Sequence, residues 1–222
     1  MDATGLLTAI LIKSGPGLSC LTLRDNVIAT EGCAELARFV TSCTTLKKLD
    51  ASNNVLTHGG EEQDAAVTLL TAVTEPTGSL VCLAIGGNAL GDAAGAALAA
   101  TLPGCTRLTS VDVRSDEYTE KTCLILAAAV QARQPPLESF GGVPVAALAD
   151  GRCTVLDVSG SCLGLAEAHV LGQLVRVRQS ARACPAACPA ACPARVLRRV
   201  LRCPALSCND PALPIDSLRC PA

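Results

Sequence analysis

The sequence predicts an α/β solenoid, in which short parallel strands alternate with helices and stack layer on layer around no single closed core. Three observations carry this. A pattern of apolar residues ending in Asn recurs, with copies starting at Leu18, Leu46, Leu80 and Leu108, which are 28, 34 and 28 residues apart. A fixed period of this size is the mark of a stacked array. Within each copy the hydrophobic pattern switches from alternation to helical spacing. Finally, the aromatic residues are Phe39, Tyr118 and Phe140 alone. Leu, Ala and Val must therefore fill the interior, which suits thin, regular layers.

The first copy reads Leu18, Leu21, Leu23, Asn26, Ile28. The second reads Leu46, Leu49, Ala51, Asn54, Leu56, and the third Leu80, Leu83, Ile85, Asn88, Leu90. Alternation such as Leu49-Asp50-Ala51 predicts a short strand at the start of each copy. Eighteen and 22 residues beyond the first Leu stand Leu36 and Val40, Leu98 and Leu102, then Leu126 and Val130, with Leu171 and Val175 in the same relation to Cys153. Such i, i+4 pairs flanked by Ala predict a helix laid against the sheet. The Asn sits where the strand must end, where its side chain can satisfy backbone groups that have no ladder partner. Asp116 and Ser161 replace it in later copies, where the ladder should weaken.

Over residues 15–178 this pattern resembles the leucine-rich repeats of the ribonuclease-inhibitor-like type. The resemblance implies a leucine-rich-repeat horseshoe, with parallel strands on the concave face and helices on the convex face. It divides the chain into an N-terminal half-repeat or cap (1–17), about five and a half repeats (18–179), and a tail (180–222). In the cap, residues 6–13 have the character of a helix whose strand is missing. The second copy carries extra residues at 57–62 and 75–78, so a loop should protrude there. The copy at 137–152 is truncated: Gly141-Gly142-Val143-Pro144 should replace its strand, and its helix should be missing or shrink to residues 146–150.

The tail is a different kind of sequence. Ala-Cys-Pro-Ala occurs three times, at Cys184, Cys188 and Cys192, and seven of the chain's 13 Pro lie there. That composition cannot sustain long helices or a central strand. It reads equally as a disordered tail or as a misread gene end, and the chain as a fragment of a longer array. Arg195, Arg198, Arg199 and Arg202 share one face of a short segment opposite Val196, Leu197, Val200 and Leu201, too short for a stable isolated helix.

Charge and cysteine placement narrow the class. Residues 1–175 carry 10 basic and 18 acidic side chains, a net of −8, whereas 176–222 carry 8 Arg and two Asp, a net of +6. An acidic body argues against nucleic-acid binding. Lys13 and Gly15 interrupt the one apolar run that approaches a membrane span, and the start lacks the basic region of a signal peptide. Cys43, Cys105 and Cys153 recur just before a strand, in Cys-Thr-Thr-Leu, Cys-Thr-Arg-Leu and Cys-Thr-Val-Leu. Cysteines placed once per layer act as small buried hydrophobes. Reduced thiols and a cytoplasmic location are expected.

No catalytic, cofactor or metal site stands out. Gly86 to Gly91 has part of a phosphate-loop spacing, but Asp92-Ala93 follows where Lys-Ser/Thr is needed. The tail cysteines lack the two-residue spacing of zinc loops and have no neighbouring His. His58 and His169 lie in separate repeats, apart from any nucleophile. The strand columns remain as the candidate partner-binding surface: Arg24, Lys47, Lys48, Asp50, Asp112, Arg114 and Asp157. The expectation is a non-catalytic, monomeric scaffold for binding another protein, with an enzyme inhibitor acting through the concave face as the alternative.

Overall fold

A computed structural model describes residues 17–75, 78–153, 155–158 and 163–183. The chain alternates strand and helix: β1 (Cys20–Thr22), α1 (Thr30–Ser42), β2 (Lys48–Asp50), α2 (Asp64–Thr74), β3 (Cys82–Ala84), α3 (Asp92–Thr101), β4 (Ser110–Asp112), α4 (Glu120–Ala132), β5 (Ser139–Phe140), α5 (Val145–Ala149) and α6 (Leu165–Ala183). The strands form one five-stranded parallel sheet in chain order. The fold is mixed α/β, as the switch in periodicity predicts.

The register follows the repeat. Leu21, Leu49, Leu83 and Val111 lie opposite one another, and Phe140 continues the row. These middle residues are buried in one core with Leu36, Leu69, Leu98 and Leu126 of the helices. The flanking strand residues, among them Thr22, Lys48, Asp50, Ser110 and Asp112, are exposed or half-buried and form an open face. Burying each Leu in that core contributes roughly 1.5–3 kcal/mol. Helix neighbours need small residues where they touch: a Cβ on Gly95 of α3 would lie 2.4 Å from Cγ2 of Thr122 in α4.

The asparagines do what their position requires. Asn88, 2% exposed, donates to the carbonyls of Ala51 (3.0 Å) and Ile85 (2.7 Å), and its Oδ1 accepts from the Asn54 amide at 3.1 Å. Asn54 repeats this one layer earlier, donating to Leu23, Ala51 and Ser52 carbonyls and accepting from the Ile28 amide. Asn26, which is exposed, bonds only the carbonyls of Leu23 and Arg24 among the described residues. Each buried Asn thus stitches its own turn to a neighbouring layer.

The segments that lead from helix to strand use a second device. Ser79 donates to the carbonyls of Cys43 and Leu46, and Arg133 to those of Cys105 and Leu108. Arg133 is 1% exposed, and burial lowers its pKa from the usual guanidinium value. Its charge is met by backbone oxygens, including that of Pro135 at 2.5 Å.

Four expectations need correction, and others fall outside the described residues. Residues 57–62 do not protrude freely: Thr57 is buried and donates to the Asn88 and Ala89 carbonyls, and Gln63 bonds Gly60, Ala89 and Gly91. The truncated copy keeps a two-residue strand before its glycines, since Phe140 still pairs with Val111 and then turns back through a bridge to Val143. Its helix is short, as expected. Residues 155–158 form no strand, so Asp157 stands outside the ladder instead of in a strand column. Ser161, which stands in place of the Asn in that copy, lies outside the described residues. Helix α6 continues to Ala183, past the expected start of the tail. The helix of residues 6–13 and the tail motifs from Cys184 onward lie outside the described residues.

Candidate functional site

At the carboxyl ends of the strands, the chain leaves the sheet through a turn whose form repeats. Asp50 Oδ1 accepts from the Ser52 amide at 3.1 Å, and Asp112 Oδ1 from the Arg114 amide at 3.3 Å. These carboxylates brace the strand exits. The next position takes left-handed backbone in three consecutive copies: Asp25 (φ 57°), Asn53 (φ 54°) and Gly87 (φ 72°). Asp, Asn and Gly are the residues that tolerate this conformation. The column is also packed: Asn53 Nδ2 donates to Asp25 Oδ1 at 2.7 Å, and a Cβ on Gly87 would stand 2.3 Å from Asn53 Oδ1.

These turns line a groove of about 650 Å³. It is lined by Arg24, Asn53, Ala89, Arg114 and Glu117 and by Gly86-Gly87, where side chains are absent. Gly86 is required by proximity, because a Cβ there would lie 2.9 Å from Asp112 Oδ1. A groove of this volume is in the range of ligand sites, and open parallel sheets bind ligands outside the carboxyl ends of their strands.

The groove brings together three of the residues singled out from the sequence: Arg24, Asp112 and Arg114. Neither arginine is an uncommitted anchor. Arg114 makes a two-point pair with Asp112, Nε to Oδ1 at 2.9 Å and Nη2 to Oδ2 at 2.7 Å. Arg24 lies 3.3 Å from Asp25, with both side chains largely exposed. Lys47 and Lys48 are exposed at the opposite, amino end of β2, and Asp50 is braced on the open face. Asp157 is exposed and away from the ladder.

Sequence reasoning missed the left-handed column and Glu167. The column had a signal, Asp, Asn and Gly each standing directly before an Asn. Glu167, in the first turn of α6, had none. It is 1% exposed, and neither carboxylate oxygen has a partner of hydrogen-bonding geometry among the described residues. A Cβ on groove-lining Gly164 would lie 2.8 Å from its Oε2, and one on Gly141 2.4 Å from its Cγ. Burial pushes its pKa up to about 7; the nearby backbone amides of Glu167 and Gly164 and the Arg114 charge oppose this, and the Asp112 charge adds to it.

Among the described residues no group of three or more His, Cys, Asp or Glu is placed to hold a metal ion. Neither do they contain a helix long and apolar enough to cross a membrane. Burial raises the thiol pKa of Cys33 to about 12 and that of Cys123 to about 11, which makes both poor nucleophiles. Compared with known proteins, the chain matches no family model and no curated protein.

Proposed function

We propose that this chain is a leucine-rich-repeat horseshoe of the ribonuclease-inhibitor-like type, and that it acts without catalysis as a scaffold binding another protein along the carboxyl edge of its sheet. The observation that carries this reading is the groove itself. Successive layers each contribute one turn to it, so a single binding surface is built by repetition, which is how arrays of this kind make extended sites. The stitching by Asn54 and Asn88 holds those turns in fixed relation, so little ordering would be needed on binding. The mixed signs of Arg24, Arg114, Asp112 and Glu117 fit a protein surface better than a polyanion.

Photo-cross-linking tests the reading. A benzoylphenylalanine placed at Arg24 or Glu117 should yield a discrete protein adduct in lysate, whereas one at Arg38 or Leu124, on exposed helix surface, should not. Adducts that form equally at all four positions, or at the helix positions alone, would overturn it.

A further inference from the structure

We infer that the groove receives an extended segment of a partner protein that sets a Lys or Arg against Asp116 and Glu117 and an aliphatic side chain on Val27 and Val55. This rests on the proposed protein-binding role and narrows the chemistry of the partner.

Arg24 stands beside Asp25, and Arg114 is held in two-point contact with Asp112. No ion pair neutralises Asp116 or Glu117 among the described residues, and both are exposed on the groove wall. The 57–62 turn extends this acidic rim: a Cβ on Gly60 would lie 3.8 Å from Glu117 Cγ, and exposed Glu61 and Glu62 follow it. A guest cation complements this rim, and an anion does not.

The apolar end comes from the repeat. Val27, Val55, Ala89 and Glu117 occupy the same position in four successive copies. Val27 is 75% exposed and Val55 42%, Ala89 lines the groove, and Glu117 ends the row. The column therefore runs from apolar to acidic. Strands about 4.8 Å apart place its ends roughly 14 Å apart, which an extended chain rising about 3.3 Å per residue spans in four or five residues. The partner segment should carry its aliphatic and basic residues at about that separation.

The test is selection from a phage-displayed library of random dodecapeptides against the full chain. Enriched peptides should carry Lys or Arg four or five positions from Leu, Ile, Val or Met. By fluorescence anisotropy they should bind the Asp116→Lys, Glu117→Lys double variant about ten-fold more weakly, with a similar loss for Val27→Asp, Val55→Asp. All four side chains are exposed, so melting curves of the variants should match the parent. Enrichment of peptides without a basic residue, equal binding to parent and double variant, or no enrichment would overturn the inference. The two readings fail separately. Acidic or purely apolar peptides that still cross-link at Arg24 or Glu117 would sink the cationic assignment alone. Peptides that cross-link at Arg38 or Leu124 would sink the site as well.

Discussion

Replacing Asn88 by Ala should cost far more stability than the same change at Asn26, although the two residues hold the same place in their repeats. Asn88 is buried and makes three bonds of 3.1 Å or shorter: to the carbonyls of Ala51 and Ile85, and from the amide of Asn54. Each is worth about 1 kcal/mol net, and the buried groups left behind add about 1–3 kcal/mol. The sum, roughly 4–6 kcal/mol, is a large share of the 5–15 kcal/mol typical of a whole domain. Asn26 is exposed, and the Leu23 and Arg24 carbonyls it serves can turn to water, so its loss should cost under about 1 kcal/mol. Urea unfolding followed by circular dichroism reads both, as a shift in midpoint at unchanged slope. Asn88→Asp separates donor from acceptor: an ionised carboxylate keeps the acceptor but cannot donate to Ala51 or Ile85, so it should be as damaging as Ala. If Asn88→Ala costs no more than Asn26→Ala, the layers are not held by this ladder and the reasoning fails.

Three further outcomes follow from single residues. Arg133→Met keeps the apolar length but leaves the Cys105 and Leu108 carbonyls without their charged donor, and should cost roughly 3 kcal/mol in the same unfolding assay. Glu167 has a folded pKa of about 7 against an ordinary 4.5, so its neutral form is the one the fold accommodates. Its contribution is therefore fully present below pH 4.5 and is lost as pH rises through 7. Stability should fall by about 2 kcal/mol between pH 5 and pH 8, and Glu167→Gln should flatten that profile in urea titrations. Exposed Cys20 should alkylate rapidly in the native protein, while Cys33, Cys43, Cys105 and Cys123 should react only on unfolding. Fast native labelling of Cys43 or Cys105 would show that the layer register is wrong.

Much of the fold was legible because it rests on periodic features. The apolar rows through Leu49 and Leu83 and the asparagines at 54 and 88 recur at fixed offsets, and the sheet register repeats them residue for residue. What was hidden depends on contacts across layers. Ser79 and Arg133 bond equivalent carbonyls but share no residue type, and loops of different length precede them, so no pattern links them. Asp157 looked equivalent to Asp112 by spacing, yet the pairing that would make it so ends at Phe140. Of the candidate site, Arg24 and Arg114 were visible as column residues. Their existing partners were not, because Asp112 reaches Arg114 only once the strand exit is folded.

The central claim is that a partner protein binds along the carboxyl edge of the sheet. Hydrogen–deuterium exchange tests it most directly, measured on the full chain alone and bound to the partner that the cross-links identify. The account predicts slower exchange at residues 52–55, 86–89 and 114–117 in the complex, with the outer amides of α1 to α4 unchanged. Protection confined to the helices, with those three turns exchanging as in the free chain, would contradict it.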